Sequence, residues 1–275
     1  MAQSLVTFVS GDFPDGDTLH IPTLSRLSAE DYAENTNISV QDASVGDFTL
    51  EITEYIQSGI AVTDKLKTDS YYVSVLDSSF PMQCMRALMD KLENDIFLLH
   101  KKQTTNDANT INGQAHRFNA TGTSAVITVD DIAKAKLALD KANVSKNGRV
   151  AVVDPTVSYQ LINIDNVIRQ DVYGANSHLK DGFGQTNFIG RYLGFDFYES
   201  NMLDEATGVD WANDSDKIAN MFYGEEALIG AVRQEPDIEQ FRDSEKRRDV
   251  YHVTMRYGLD LFRPESLVTI LTPNS

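Results

Sequence analysis

Several groups of residues in this 275-residue sequence are of types that could do chemistry, and in each the spacing argues against it. Gly182 and Gly184 in "DGFGQTNFIG" begin like the turn that brings backbone N–H groups against the pyrophosphate of a dinucleotide. Asn187 stands where the third glycine belongs, and the stretch leads into a strand-like alternation where the motif needs a helix. The acids of "DEATGVDWANDSD" (204–216) could gather around calcium or magnesium, but they do not follow EF-hand spacing and read as a solvated loop. His20, His100, His116, His178 and His252 are scattered, and no two sit three or four residues apart on one helical face to share a metal ion. Asp130–Asp131 and Glu225–Glu226 fall where helices are expected to start and complement the dipole there. The sequence has no G-x-S-x-G elbow, H-E-x-x-H, Walker loop or C-x-x-C. No catalytic residue, metal or cofactor is therefore expected, and the chain reads as an interaction protein.

Bulk composition narrows the classes. Lysine and arginine number 24 against 41 acids, giving a net charge of −17. So acidic a surface repels phosphate backbones and anionic lipid, which argues against sequence-specific nucleic-acid binding. A lone cysteine, Cys84, leaves no intrachain disulfide and lies on an apolar helical stripe as a small core residue. No apolar run approaches a membrane span, and "MAQSLVTFVSGDF" has no basic n-region of a secretory signal. A soluble, cytosolic protein is expected.

The elements follow from periodicity. "DTLHI" leads out and "FTLEITEYIQSGIAVT" leads back, with Phe48, Leu50 and Ile52 at period two, so residues 18–65 read as a ribbon. Its middle is polar and acidic, and a two-stranded ribbon is marginal alone in water, so it needs something to lie against. After Ser79 and Pro81, the stripe Met82, Met85, Met89, Leu92, Ile96, Leu99 predicts a helix ~35 Å long at ~1.5 Å per residue. Asn112–Gly113 predicts a small hairpin turn. Thr128 and Asp131, at capping-box spacing, open a second helix expected to stop at Asn147–Gly148. "RVAVVDP" predicts a buried strand, followed after Asp154–Pro155 by a short helix carrying Tyr159, Leu161 and Ile162. Ile189, Leu193, Phe195 and Phe197 predict a turn and strand, and "KIANMFYGEEALIGAV" a strand running into a short helix. Tyr251, Val253, Met255 and Tyr257 share one face of a long strand, with another strand after Arg263–Pro264. The class is α+β.

In this order, "GDTLHIPTL…Y…IQSGIAVTD", "FPMQCMRALMDKLENDIFLLH", "GRVAVVDPTVSYQL" with "DGFGQTNFIGRYLGFDFYESNML", and "YHVTMRYGLDLFRPESLVTI" resemble the E-loop, spine helix, A-domain and returning P-domain strand of the major capsid proteins of tailed double-stranded DNA bacteriophages. That resemblance implies the Hong Kong 97-like fold, divided as N-terminal arm 1–17, E-loop 18–65, P-domain 66–145, A-domain 146–234 and P-domain return strands 235–275. It implies a structural subunit of pentamers and hexamers that close into an icosahedral virion shell around packaged DNA, assembled in the bacterial host cytoplasm. The E-loop would reach over the P-domain of a neighbouring subunit, so the partner it needs is another copy. Further implied partners are a portal and, since only about fifteen residues precede the E-loop, a separate scaffolding protein; no membrane is involved. Residues 18–64 contain no lysine, so the covalent E-loop cross-link of some relatives is not expected.

Charge refines the expected contacts. Residues 18–64 hold eight acids (Glu30, Asp31, Glu34, Asp42, Asp47, Glu51, Glu54, Asp64) against one base, Arg26, while Arg242, Lys246, Arg247 and Arg248 cluster in the expected P-domain. The two sets are candidate partners across a subunit boundary, each exposed pair contributing about 0–1 kcal/mol, with a solvated charged strand end as the plainer alternative. Tyr32 and Tyr55 are candidate aromatic anchors on the arm, unless they pack within the ribbon. Three readings compete: an encapsulin-type nanocompartment shell of the same fold, a metal-dependent enzyme using the 204–216 loop, and another virion part such as a decoration or tube subunit. Against the first, glycine and proline in "MAQSLVTFVSGDFPDG" break any N-terminal cargo-binding helix.

Overall fold

A computed structural model describes residues 6–9, 16–24, 29, 31, 34, 45–69, 79–103, 109–162, 188–205 and 217–273. Its frame is two sheets that share one core. Along the chain come strands β1 (Thr7–Phe8), β2 (Thr18–Leu24), β3 (Val45–Glu51) and β4 (Glu54–Thr63), helix α1 (Asp64–Asp69) and the spine helix α2 (Phe80–Leu98). After the short strands β5 (Thr110–Ile111), β6 (Gln114–Ala115) and β7 (Arg117–Asn119) follow α3 (Val129–Lys141), β8 (Val150–Val153) and α4 (Pro155–Ile162). The rest is β9 (Phe188–Tyr192), β10 (Phe195–Glu199), α5 (Met202–Glu205), β11 (Lys217–Tyr223), β12 (Leu228–Asp243), β13 (Arg248–Leu261) and β14 (Leu267–Pro273).

One sheet has strand order β1-β12-β13-β4, the other β7-β14-β11-β8-β10-β9, and β2 and β3 form the ribbon by themselves. The long strand β13 runs antiparallel to β12 on one side and to β4 on the other. Its alternate residues Tyr251, Val253, Met255 and Tyr257 are all buried, as their period of two requires. They face α2, whose Leu92, Ile96 and Phe97 join Met255 and Tyr257 in the same apolar cluster as Val152, Met221 and Tyr223 of the six-stranded sheet. That sheet's other face packs Ala151, Phe195, Phe222 and Ile270 against Ile132, Ala135 and Leu139 of α3 and Val157 and Leu161 of α4. Phe195, Phe197 and Phe222 stack edge to face there, their centroids 5.3 to 6.5 Å apart.

Much of the predicted pattern is present, and the departures have local causes. The ribbon pairs as expected, with Leu19 opposite Leu50 and Ile21 opposite Phe48. Its returning arm is not one strand: β3 stops at Glu51, and β4 leaves the ribbon to pair with β13 along all ten residues. The spine helix is present, but its buried line is Cys84, Leu88, Leu92, Ile96, and Met82 is 65% exposed. Leu92, Ile96 and Leu99 of the predicted stripe are buried as expected, whereas in the first turns the sheet beneath takes Cys84 and Leu88 and leaves Met85 and Met89 half-buried. Ser79 stands at the N-cap without accepting a side-chain hydrogen bond.

Asn112 and Gly113, at φ 50° and 73°, form the hairpin turn between β5 and β6. The Thr128/Asp131 capping box is complete, whereas α3 ends at Lys141, several residues before Asn147–Gly148. It ends there because Asn143 turns left-handed at φ 58° and the Val144 N–H closes back on the Leu139 carbonyl at 3.0 Å; beyond the turn the buried Arg149 donates to the carbonyls of Val144 and Ser145, each at 2.8 Å, and pairs with Asp140 at 2.7 Å. Of the three residues expected on α4, Tyr159 is 69% exposed, Leu161 enters the core, and the Ile162 side chain lies outside the described residues. Residues 217–232 are not a strand entering a helix: Gly224 to Ala227 turn, with Glu226 at φ 67°, and β12 follows, held by β13.

The grouping of elements also differs from the expected division. Helix α3, expected with residues 66–145 of the P-domain, packs on the six-stranded sheet, and β14, expected among the return strands 235–275, lies inside that sheet between β7 and β11. β12 begins its pairing with β13 at Leu228, before residue 235. Non-local pairing of this kind leaves no mark on local periodicity.

Candidate assembly surface

Two regions present the residues singled out by charge and aromaticity. The first is the far end of the four-stranded sheet, where the β12–β13 turn meets the end of β4. A run of like charges there would repel itself, and the fold intersperses acids. Arg242 reaches from β12 across to β4's successor, donating to both oxygens of Asp64 at 2.6 and 2.7 Å, and also to Asp249 at 2.8 Å. Lys67 of α1 donates to the second Asp249 oxygen at 2.6 Å. Arg248 donates to Asp243 at 2.9 Å, and the Lys246 backbone N–H donates to the other oxygen of Asp243 at 3.2 Å, closing the turn. Arg247 occupies the left-handed region at φ 48°, and its carbonyl accepts from the Asp64 N–H at 3.1 Å.

Each acid is held ionised by its donors. The Arg242 hydrogen bond keeps the Asp64 carboxyl below the usual aspartate range, and the guanidinium is itself pushed up. Asp249 is lowered by the Lys67 hydrogen bond and then by Arg242, and Asp243 by the Lys246 N–H and then by Arg248. Of the four bases singled out in the sequence, Arg242 and Arg248 are thus neutralised within their own chain. The side chains of Lys246 and Arg247 remain exposed with no ion pair among the described residues.

The second region is the base of the ribbon, where β2 and β3 leave the sheet. Leu50 and Ile52 are buried with Ile229 and Ala231 of β12, and Phe48 stands edge-on to Phe262 with centroids 5.0 Å apart. The Ile52 N–H donates to the Asp17 carbonyl at 2.8 Å. Most closely, β3 crosses β13 at Gly258: a Cβ there would lie 2.2 Å from the Glu51 carbonyl oxygen. A groove of about 330 Å³ runs beside this crossing, lined by Val9, Leu19, Ile21, Ile229 and Phe262 among others.

Tyr55 is 65% exposed and does not pack within the ribbon, because it belongs to β4. The Arg256 guanidinium lies 5.9 Å from its ring centre and also pairs with Asp17 at 3.1 Å, so the ring is oriented before any partner arrives. Asp31 and Glu34 are exposed; Glu30 and Tyr32 lie outside the described residues, as do most of the glycine turn at 181–190 and of the acidic loop at 204–216. Among the described residues no three His, Cys, Asp or Glu side chains converge on a metal position, and no helix is long and apolar enough to cross a membrane. Sequence reading missed Asp64 and Asp249 as in-chain partners, Gly258 as the crossing point, and Arg256 beneath Tyr55. Only strand register joins residues so far apart along the chain.

A family model described as phage capsid protein matches residues 47–270, which span the ribbon's return, the spine helix and both sheets. The chain belongs to the phage capsid protein family. Solved structures agree on the fold, which is of the Hong Kong 97 type. A chain from Mycobacterium phage Che8 aligns with TM-score 0.71 at 22% identity, covering 98% of this chain and 90% of its own. The capsid structure of cyanophage P-SCSP1u gives TM-score 0.74 at 17% identity, over 100% and 88%. A chain from Gordonia phage Cozz gives 0.66 at 17%, over 99% and 86%. No curated protein matches the sequence significantly. For a capsid protein the salt-bridged sheet end and the ribbon base are structural surfaces, and the role of the chain is structural.

Proposed function

We propose that this chain is the subunit of an icosahedral phage head, assembling as pentamers and hexamers around double-stranded DNA through noncovalent contacts alone. The ribbon carries the reading. It is anchored at its base by Phe48, Leu50 and Ile52, while β2 and β3 pair with no third strand among the described residues. A two-stranded ribbon of this kind gains its stability from a surface outside itself, here the P-domain of a neighbouring copy. Its acids Glu30, Asp31 and Glu34 then meet the exposed cations Lys246 and Arg247, with Tyr32 and Tyr55 as aromatic anchors. The in-chain pairs of Arg242 and Arg248 narrow the cross-boundary role to the two unpaired bases. Net charge of −17 suits a lumen that lets packed DNA slide and leave. Scaffold and portal are separate proteins in this reading.

Negative-stain microscopy with sedimentation velocity, on the chain alone and with a scaffold candidate, tests it. Closed shells or rings of five or six subunits are expected, and a persistent monomer under both conditions would refute it. Lys246→Glu with Arg247→Glu should weaken assembly, and unchanged assembly would remove the charge pairing while leaving the shell.

A further inference from the structure

Strand β4 forms one edge of the four-stranded sheet, with β13 as its neighbour on the other side. No backbone hydrogen bond ties β4 to any strand other than β13 among the described residues. Its register with β13 is continuous from Glu54 to Thr63, with no bulge. From Tyr55 to Thr63 the strand carries no charge and no proline. Long, flat, uncharged edges template pairing with another chain, and proteins that stay apart interrupt them. This sheet does interrupt its opposite side: β12 beyond its contact with β1 has two register shifts, Pro236, and the acids Glu235, Asp237 and Glu239. One side is defended, and among the described residues the other is left bare.

The occupant that fits is a second copy. At net charge −17 two copies repel in most orientations. The uncharged β4 edge is a place where they can meet without facing carboxylates, and the proposed shell requires contact between identical chains. We infer that β4 pairs antiparallel with β4 of a second copy about a two-fold axis, joining two four-stranded sheets into one. Such a contact is self-complementary. A two-fold keeps every residue on its own face, so the pairing centres on a residue; centred on Ser58, Glu54 lies opposite Val62 and no like charges meet. The ladder would run ~30 Å at ~3.3 Å per residue, and the exposed Tyr55 and Ile60 would gain Ala61 and Ile56 as cross-strand neighbours, one on each face.

This inference rests on the capsid reading, and its test separates the two. Single cysteines are placed at Gln57, Ser58, Ile60 and Ala61, and each variant is oxidised alone and in mixed pairs, after particles have been counted by microscopy. The native Cys84 is buried and gives the background. One combination should yield a covalent dimer in the majority of chains, and the sum of its residue numbers fixes the register. In the unmodified protein, alternate amides of residues 55–62 should exchange at least tenfold more slowly in particles than in free subunits. Particles that form without a dimer in any combination, or without slowed exchange, overturn the β4 pairing and leave the capsid reading standing. Absence of both particles and dimers overturns both.

Discussion

Gly258→Ala tests whether the ribbon's posture is set by one backbone crossing. Gly258 lies within β13, buried, and its φ is not left-handed, so conformational preference alone favours alanine by about 0.4–1 kcal/mol through the unfolded chain. Contact opposes this. The new Cβ would stand 2.2 Å from the Glu51 carbonyl oxygen, 2.9 Å from its carbon and 3.0 Å from Ile52 Cα, where ordinary contact begins at 3.4 Å. The difference, 3.4 − 2.2 = 1.2 Å, must be taken up by backbone, since no flexible side-chain end is involved. Overpacking of this kind costs about 1–3 kcal/mol, so the net loss should be about 1–2 kcal/mol. At about 2–4 °C per kcal/mol for a chain of this size class, Tm should fall by several degrees. The local signature is sharper than the melt. The Ile52 N–H, bonded to the Asp17 carbonyl, should exchange faster as β3 lifts from β13. Gly59→Ala, whose Cβ would meet the Tyr251 carbonyl oxygen at 3.1 Å, is the milder control. Equal melting of Gly258→Ala and the parent, with Ile52 exchange unchanged, would refute the crossing as the ribbon's hinge point.

Further outcomes follow from the same structure. Asp131 is fully buried, and although burial pushes its carboxyl up, hydrogen bonds from Thr121 and Thr128 outweigh this and hold it low; Asp131→Ala should cost about 2–4 kcal/mol in denaturant melts, as a lost cap plus stranded donors. A lowered carboxylate contributes stability above its unfolded value of about 3.9 and loses it as pH falls through the folded value, so acid should destabilise the parent more steeply than Asp131→Asn. Asp64 and Asp249, both held by Arg242, titrate in the same sense, so Arg242→Ala should make the end of β4 exchange faster at neutral pH, and this difference from the parent should shrink as pH falls through their lowered folded range. Asn220 bonds the Asp154 N–H at 3.0 Å, the Ile270 carbonyl at 3.1 Å and the Thr272 hydroxyl at 2.9 Å, so Asn220→Leu should lose about 2–3 kcal/mol by chemical denaturation. Assembled particles should run as single chains on a denaturing gel; a ladder would reveal cross-links despite the absence of lysine from residues 18–64.

Local rules were legible wherever a residue's role depends on its immediate neighbours. The capping box at Thr128 and Asp131, the Asn112–Gly113 turn, the alternation of Tyr251 to Tyr257 and the ribbon's pairing all appear as the sequence implies. Composition and order alone therefore determined an acidic α+β chain with an arm, a spine helix and long strands. Tertiary structure decided which apolar residues in the first turns of α2 are buried, since Met82 and Leu88 are equally hydrophobic candidates until a sheet lies beneath one of them. It also decided that β14 joins the six-stranded sheet, and that Arg242 spends its charge on Asp64, 178 residues away. Strand partners and ion pairs are set by register between distant segments, and register is fixed only when the whole buried face is satisfied at once.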